Sequence, residues 1–179
     1  MALALFVVAA LPVAAAFLAF FFWSPGKGSN YGDLIEPLEL PDAALVSPNG
    51  RRFSLLSFKG RWLLVQISGG RCADDCVKRL FLIRQVRLMQ GKEMGRLERL
   101  WLLSDDVAPD AELLQAYEGM HVGRTEAALL QLFPAARDPK EHIYLIDPLG
   151  NLMLRFPRDA DPKGMSSDLA RLLKVSHGG

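Results

Sequence analysis

Apolar residues are grouped along this chain in runs of distinct length, and each length predicts a different element. Residues 2–23, "ALALFVVAALPVAAAFLAFFFW", carry no charge. At about 1.5 Å of rise per residue, such a helix crosses the roughly 30 Å hydrocarbon core of a bilayer. Pro12 would kink it, which membrane helices tolerate. The polar, glycine-containing "SPGKGSNYGD" that follows reads as a linker. The pattern divides the chain into a transmembrane anchor (1–23), a linker (24–33) and a folded domain (34–179).

Within the domain, "AALVSPNGRRFSLLSFKG" predicts two short strands around the turn Pro48-Asn49-Gly50. "RWLLVQIS" (61–68) and "LERLWLLSDD" (97–106) have the length and unbroken hydrophobicity of strands buried on both faces, with Trp62 and Trp101 in the core. Between them a helix is expected over about 73–90, ending before the glycines at 91 and 95. Its apolar residues leave no clean polar face, which predicts a helix covered on most sides, with Arg84 and Arg87 reaching outward. Further helices are expected at "DAELLQAY" and "TEAALLQLF", and a hairpin at "HIYLID" and "NLMLRF" around Pro148-Leu149-Gly150. A last helix should run from a Ser166 or Ser167 cap through "DLARLLK". Helices alternating with strands predict an α/β fold with a mixed sheet flanked by helices.

The net charge of +1 gives no reason to expect nucleic acid as a partner. The N-terminal run has no basic residues before it and exceeds the usual 7–15 residues of a signal peptide core, so a retained anchor fits better than a cleaved leader. Lys27 is the one basic residue close to the span, so charge hardly decides its orientation. The sequence offers no Ser-His-Asp arrangement, phosphate loop or paired-carboxylate motif, and Asp105 and Asp106 read as solvated acids at a strand end.

The chemistry concentrates in "SGGRCADDCVKRL", which holds both cysteines, Cys72 and Cys76, at a strand-to-helix junction. Were both in the first helical turn, they would share one face. A helix N-terminus favours thiolate, Asp74 and Asp75 oppose it, and Arg71 and Lys78 offset them. As a structural disulfide the pair would clip only a small loop. As a zinc site it lacks a second pair. As a redox or soft-metal site it suits Cu(I), with a histidine to complete the ligand set. Two unrelated cysteines are the remaining reading.

The segment "VSPNGRRFSLLSFKGRWLLVQISGGRCADDC", with the later "YLIDPLGNLMLRFP", resembles the Sco/SenC family of cytochrome oxidase assembly proteins over about residues 40–175. The resemblance implies a thioredoxin-like domain behind one transmembrane helix, in the inner membrane with the domain facing the periplasm. It also implies Cu(I) held by Cys72, Cys76 and a histidine. The cargo would go to cytochrome c oxidase subunit II, or the thiols would reduce that subunit's cysteines, with other oxidase assembly factors as further partners. Such a protein is a metallochaperone or a thiol-disulfide reductase rather than a hydrolase or transferase. Two departures stand out: Ala73 and Val77 replace the prolines that usually flank the family pair, and Pro139 occupies the place of its histidine. His142 is the nearest substitute, read here as a strand residue sharing a face with Tyr144 and Ile146 and able to act as a ligand only if the strand begins after it. His121, beside Met120, is a second candidate, and His177 lies in the tail. A copper-independent oxidoreductase, with Cys72 attacking and Cys76 resolving, and a scaffold without chemistry are the competing readings.

Overall fold

The apolar runs form two strands paired side by side, β4 (Trp62–Ser68) parallel to β5 (Leu97–Leu103). Every residue of β4 is buried, because helices and loops cover both faces of the sheet at its centre. The computed structural model describes Pro12, Phe17, and residues 30–135 and 138–176. Residues 31–179 make up one compact unit. The span expected at 2–23 lies outside the described residues apart from Pro12 and Phe17. Among the described residues no helix is long and apolar enough to cross a membrane.

The other strands are β1 (Asp33–Glu39), β2 (Ala44–Val46), β3 (Arg52–Ser54), β6 (His121–Arg124), β7 (Ile143–Ile146) and β8 (Asn151–Phe156). They join one eight-stranded mixed sheet of order β1-β8-β7-β4-β5-β6-β2-β3. The hairpins at 44–54 and 143–156 form around their expected turns. On one face pack α1 (Asp74–Met89) and α4 (Pro162–Val175), with Trp62, Trp101 and Phe156 beneath them. On the other face lie Leu55, Phe58, Leu129 and Phe133, from a short 3-10 turn and the region of α3 (Ala127–Leu130). Between β5 and β6, α2 (Ala111–Ala116) makes a single short helix.

Two strands, β1 and β6, escape the hydrophobic pattern. Nearly all of β1 is exposed, and its Glu36 and Pro37 argue against a strand; antiparallel pairing to β8 makes it one. In β6, Gly123 is needed because a Cβ there would press on Phe53 and Leu45, so the position shows no hydrophobic signal.

Two helix expectations are corrected. α1 is not covered on most sides: only Cys76, Leu80, Ile83 and Val86 are fully buried, and Phe81, Leu88 and Met89 are about half exposed. Arg84 does reach outward, to the Ala116 carbonyl (3.0 Å), but Arg87 turns back and donates to Leu97 O (2.6 Å). α4 starts a full turn before Ser166, because Asp161 caps Gly164 N–H (2.8 Å) and Pro162 pre-sets the first helical φ. The buried Asp168 of α4 then accepts from Tyr31 N–H (3.0 Å), Gly32 N–H (2.8 Å) and Arg171 (2.6 Å), tying the start of the domain to its last helix.

Candidate functional site

β4 delivers the chain to the sheet's end at Ser68, and Gly69, Gly70 and Arg71 carry it to Cys72. Gly70 is obligatory for steric reasons, since a Cβ there would overlap the Val107 carbonyl oxygen, and a Cβ on Gly69 would displace the Asp105 carboxylate. Asp105 is therefore more than a solvated acid. Its Oδ1 accepts from Gly70 N–H (2.9 Å) and Val107 N–H (3.2 Å), bracing the loop against the end of β5. Asp106 does face solvent, paired with Arg124 (2.6 Å).

Cys72 closes a turn through its N–H to Gly69 O (3.1 Å) and sits at φ 44, the one non-glycine residue at positive φ among those described. Ala73 is extended and caps α1, whose first helical residue is Asp74. Cys76 lies in the first turn and Cys72 outside it, so the pair does not share a helical face. The left-handed step at Cys72 reverses the chain and brings its side chain back instead. The two sulfurs are joined in a disulfide, with Cα atoms 5.1 Å apart. Both cysteines are buried, and Ser68 Oγ lies 2.9 Å from Cys76 Sγ.

The acid next to Cys76 is ion-paired from two sides. Asp75 is matched by Lys78 (3.4 Å) and by Arg158 (3.8 Å), and Arg158 also reaches Glu141 (3.3 Å). Burial pulls the Arg79 pKa down, and neighbouring Asp75 opposes that shift. No motif marks Arg158, which lies far along the chain in a loop after β8. Its reach to the cysteine segment depends on the order of strands in the sheet.

The histidines are distributed as follows. The expected strand "HIYLID" begins one residue later than read, at Ile143, because Asp138 caps a 3-10 turn over Pro139–Glu141 and His142 N–H bonds to Pro139 O (3.3 Å). The pairing of Gln66 with Ile143 puts His142 at the same sheet end as Ser68 and the cysteines. Its ring nevertheless leans over Tyr144 (6.2 Å between centroids), a residue of the opposite core layer from Cys72 and Cys76, and Nδ1 is 2.9 Å from Phe156 O. His121 pairs with Leu100, three residues before the end of β5 and so roughly 10 Å from the cysteine end. It is held there by Glu98 (3.5 Å) and the edge of Phe58 (4.8 Å), which removes it as a ligand candidate. His177 lies outside the described residues. Among the described residues, no three His, Cys, Asp or Glu side chains are grouped to hold a metal ion. The donor set that fits a soft cation is thus the pair of sulfurs, and they become ligands only when the disulfide is reduced.

The fold is shared with several solved structures. Copper-bound ScoI of Bradyrhizobium japonicum matches at TM-score 0.59 and 21% identity, over 75% of this chain and 99% of that one. Copper-bound yeast Sco1 matches at TM-score 0.63 and 17% identity, over 78% and 95%. A thiol:disulfide interchange protein from Bacteroides sp. matches at TM-score 0.59 and 16% identity, over 79% and 91%. At these identities the likeness is one of fold, and it is the fold that the Sco/SenC resemblance implied. No curated protein sequence matches the chain. The profile of the family described as "Transmembrane-like, thioredoxin-like, C-terminal domain" matches residues 62–176, from the first residue of β4 to just past α4, and the chain belongs to that family.

Proposed function

We propose that this protein is a Sco-like assembly factor for a respiratory cytochrome c oxidase, with Cys72 and Cys76 cycling between disulfide and dithiol and the dithiol taking up Cu(I). The observation that carries this reading is the disulfide itself, formed where the central strand hands over to α1 in a fold shared with copper-bound Sco proteins. Reduction begins when an external thiolate attacks one sulfur. The Cys72–Cys76 bond breaks, and the other sulfur leaves as thiolate and takes a proton. A second external thiolate attacks the external sulfur of the resulting mixed disulfide, forming an external disulfide and freeing the first protein sulfur. That sulfur also takes a proton, so that two electrons and two protons have entered the pair. The two freed sulfurs hold Cu(I) as soft donors, for transfer to the copper centre of oxidase subunit II. His142 supports them only if its ring leaves Tyr144.

We place the domain on the periplasmic side of the inner membrane, anchored by residues 2–23. Full-length protein should resist carbonate extraction from membranes; release into the supernatant would remove the anchor.

The deciding experiment is Cu(I) titration of the reduced protein against a competing chelator. One Cu(I) per chain is expected, with His142→Ala weakening binding about three- to tenfold if the imidazole joins the sulfurs. Reversible dithiol–disulfide cycling without copper uptake would instead support a copper-independent oxidoreductase. That second reading is favoured by the likeness to the interchange protein and by the position of His142 away from the sulfurs.

A further inference from the structure

Arg158 touches the two segments whose separation decides whether His142 can reach the sulfurs. One guanidinium nitrogen is 3.8 Å from Asp75, which stands between the cysteines in the chain, and the other is 3.3 Å from Glu141, next to His142. Arg158 follows Phe156 by two residues, and the Phe156 carbonyl is the group that engages His142 Nδ1. One short stretch at the end of β8 therefore makes three contacts. It tethers the first turn of α1, it tethers the turn at 139–141, and it fixes the imidazole over Tyr144. Glu141 is the residue of that turn which the tether draws toward α1. His142, its neighbour, is left against the opposite core layer.

We infer that Arg158 is a latch: by bridging Asp75 and Glu141 it holds the 139–142 turn with His142 turned away from the cysteines, and its release lets His142 join them. Its copper-dependent consequence rests on the proposed function; the latch itself does not. Arg79 lies in the same group of charges, near Asp75, Arg158, Glu141 and Asp138, so the turn faces cations from both α1 and the β8–α4 loop. Arg158, Asp75 and Glu141 are partly solvent-exposed, and exposed ion pairs are individually weak. The latch is thus easily opened, and removing it should produce a modest change in an unusual direction.

The test uses full-length protein in detergent, as wild type, Arg158→Met, Arg158→Lys, His142→Ala and the Arg158→Met/His142→Ala double variant. In the oxidised form, hydrogen exchange at the His142 amide should quicken about three- to tenfold in Arg158→Met, with a smaller change in Arg158→Lys, which can hold one carboxylate. In the reduced form, Arg158→Met should bind Cu(I) about three- to tenfold more tightly than wild type. That gain should vanish when His142 is alanine. Unchanged amide exchange overturns the latch. So does an affinity that falls or stays the same, or a gain that survives without His142. If wild type takes up no Cu(I), the proposed function fails on that result alone, and the amide exchange still decides whether the latch exists.

Discussion

Cys72→Ser or Cys76→Ser is expected to abolish Cu(I) uptake and disulfide cycling together. The reason is the composition of the site: the two sulfurs are bonded to each other, and no third His, Cys, Asp or Glu is grouped with them among the described residues. A single remaining thiolate has no partner sulfur with which to form an internal disulfide. As a lone soft ligand it must also compete with the millimolar thiols of a typical assay. A serine hydroxyl is a hard, neutral donor and does not replace a thiolate toward Cu(I). The two substitutions should differ in their structural cost. Cys76 belongs to the buried stripe of α1 and lies 2.9 Å from Ser68 Oγ, whereas Cys72 is in the loop at positive φ. Copper titration and redox equilibration with glutathione would check the result. Retention of tight, stoichiometric Cu(I) binding by either variant would sink the two-sulfur site.

Gly70→Ala should have the next largest effect. A Cβ at this position would overlap the carbonyl oxygen of Val107, which is backbone and cannot rotate away. The Gly70 N–H is bonded to Asp105, so the loop cannot back off without losing that hydrogen bond. Overpacking of this kind costs about 1–3 kcal/mol, occasionally more. Here the displacement would also pass directly into Cys72, two residues on. Urea unfolding of the oxidised protein should show a lower midpoint, and glutathione should reduce the disulfide more readily than in wild type. Stability and redox equilibrium both unchanged would mean that the loop is not packed against Val107 as described.

The strands that needed no partner to be recognised were β4 and β5. A strand buried on both faces must be apolar throughout, so burial is written in composition. The hairpin turns were legible for a similar reason, since Asn49-Gly50 and Leu149-Gly150 supply positive φ where the chain reverses, at 81° for Gly50 and 100° for Gly150. By contrast β1 is a strand only because β8 offers it hydrogen bonds. Its residues are nearly all exposed, so burial left no mark on their identity.

At the site, two thiols between a buried strand and a helix could be read directly from the order of residues. That follows from chain connectivity, which places neighbours in sequence close in space. How they meet depends on the packing of separate segments: through a left-handed Cys72 outside the helix, in a loop braced by Asp105 just past the end of β5. That packing also decided where the histidines go. A one-residue difference in where β7 begins determines whether His142 belongs to the ladder or to the turn, and residue pattern does not resolve that step. Arg158 is the extreme case. Nothing local to residue 158 marks it, because its partners Asp75 and Glu141 reach it only through the folding of distant segments onto one end of the sheet.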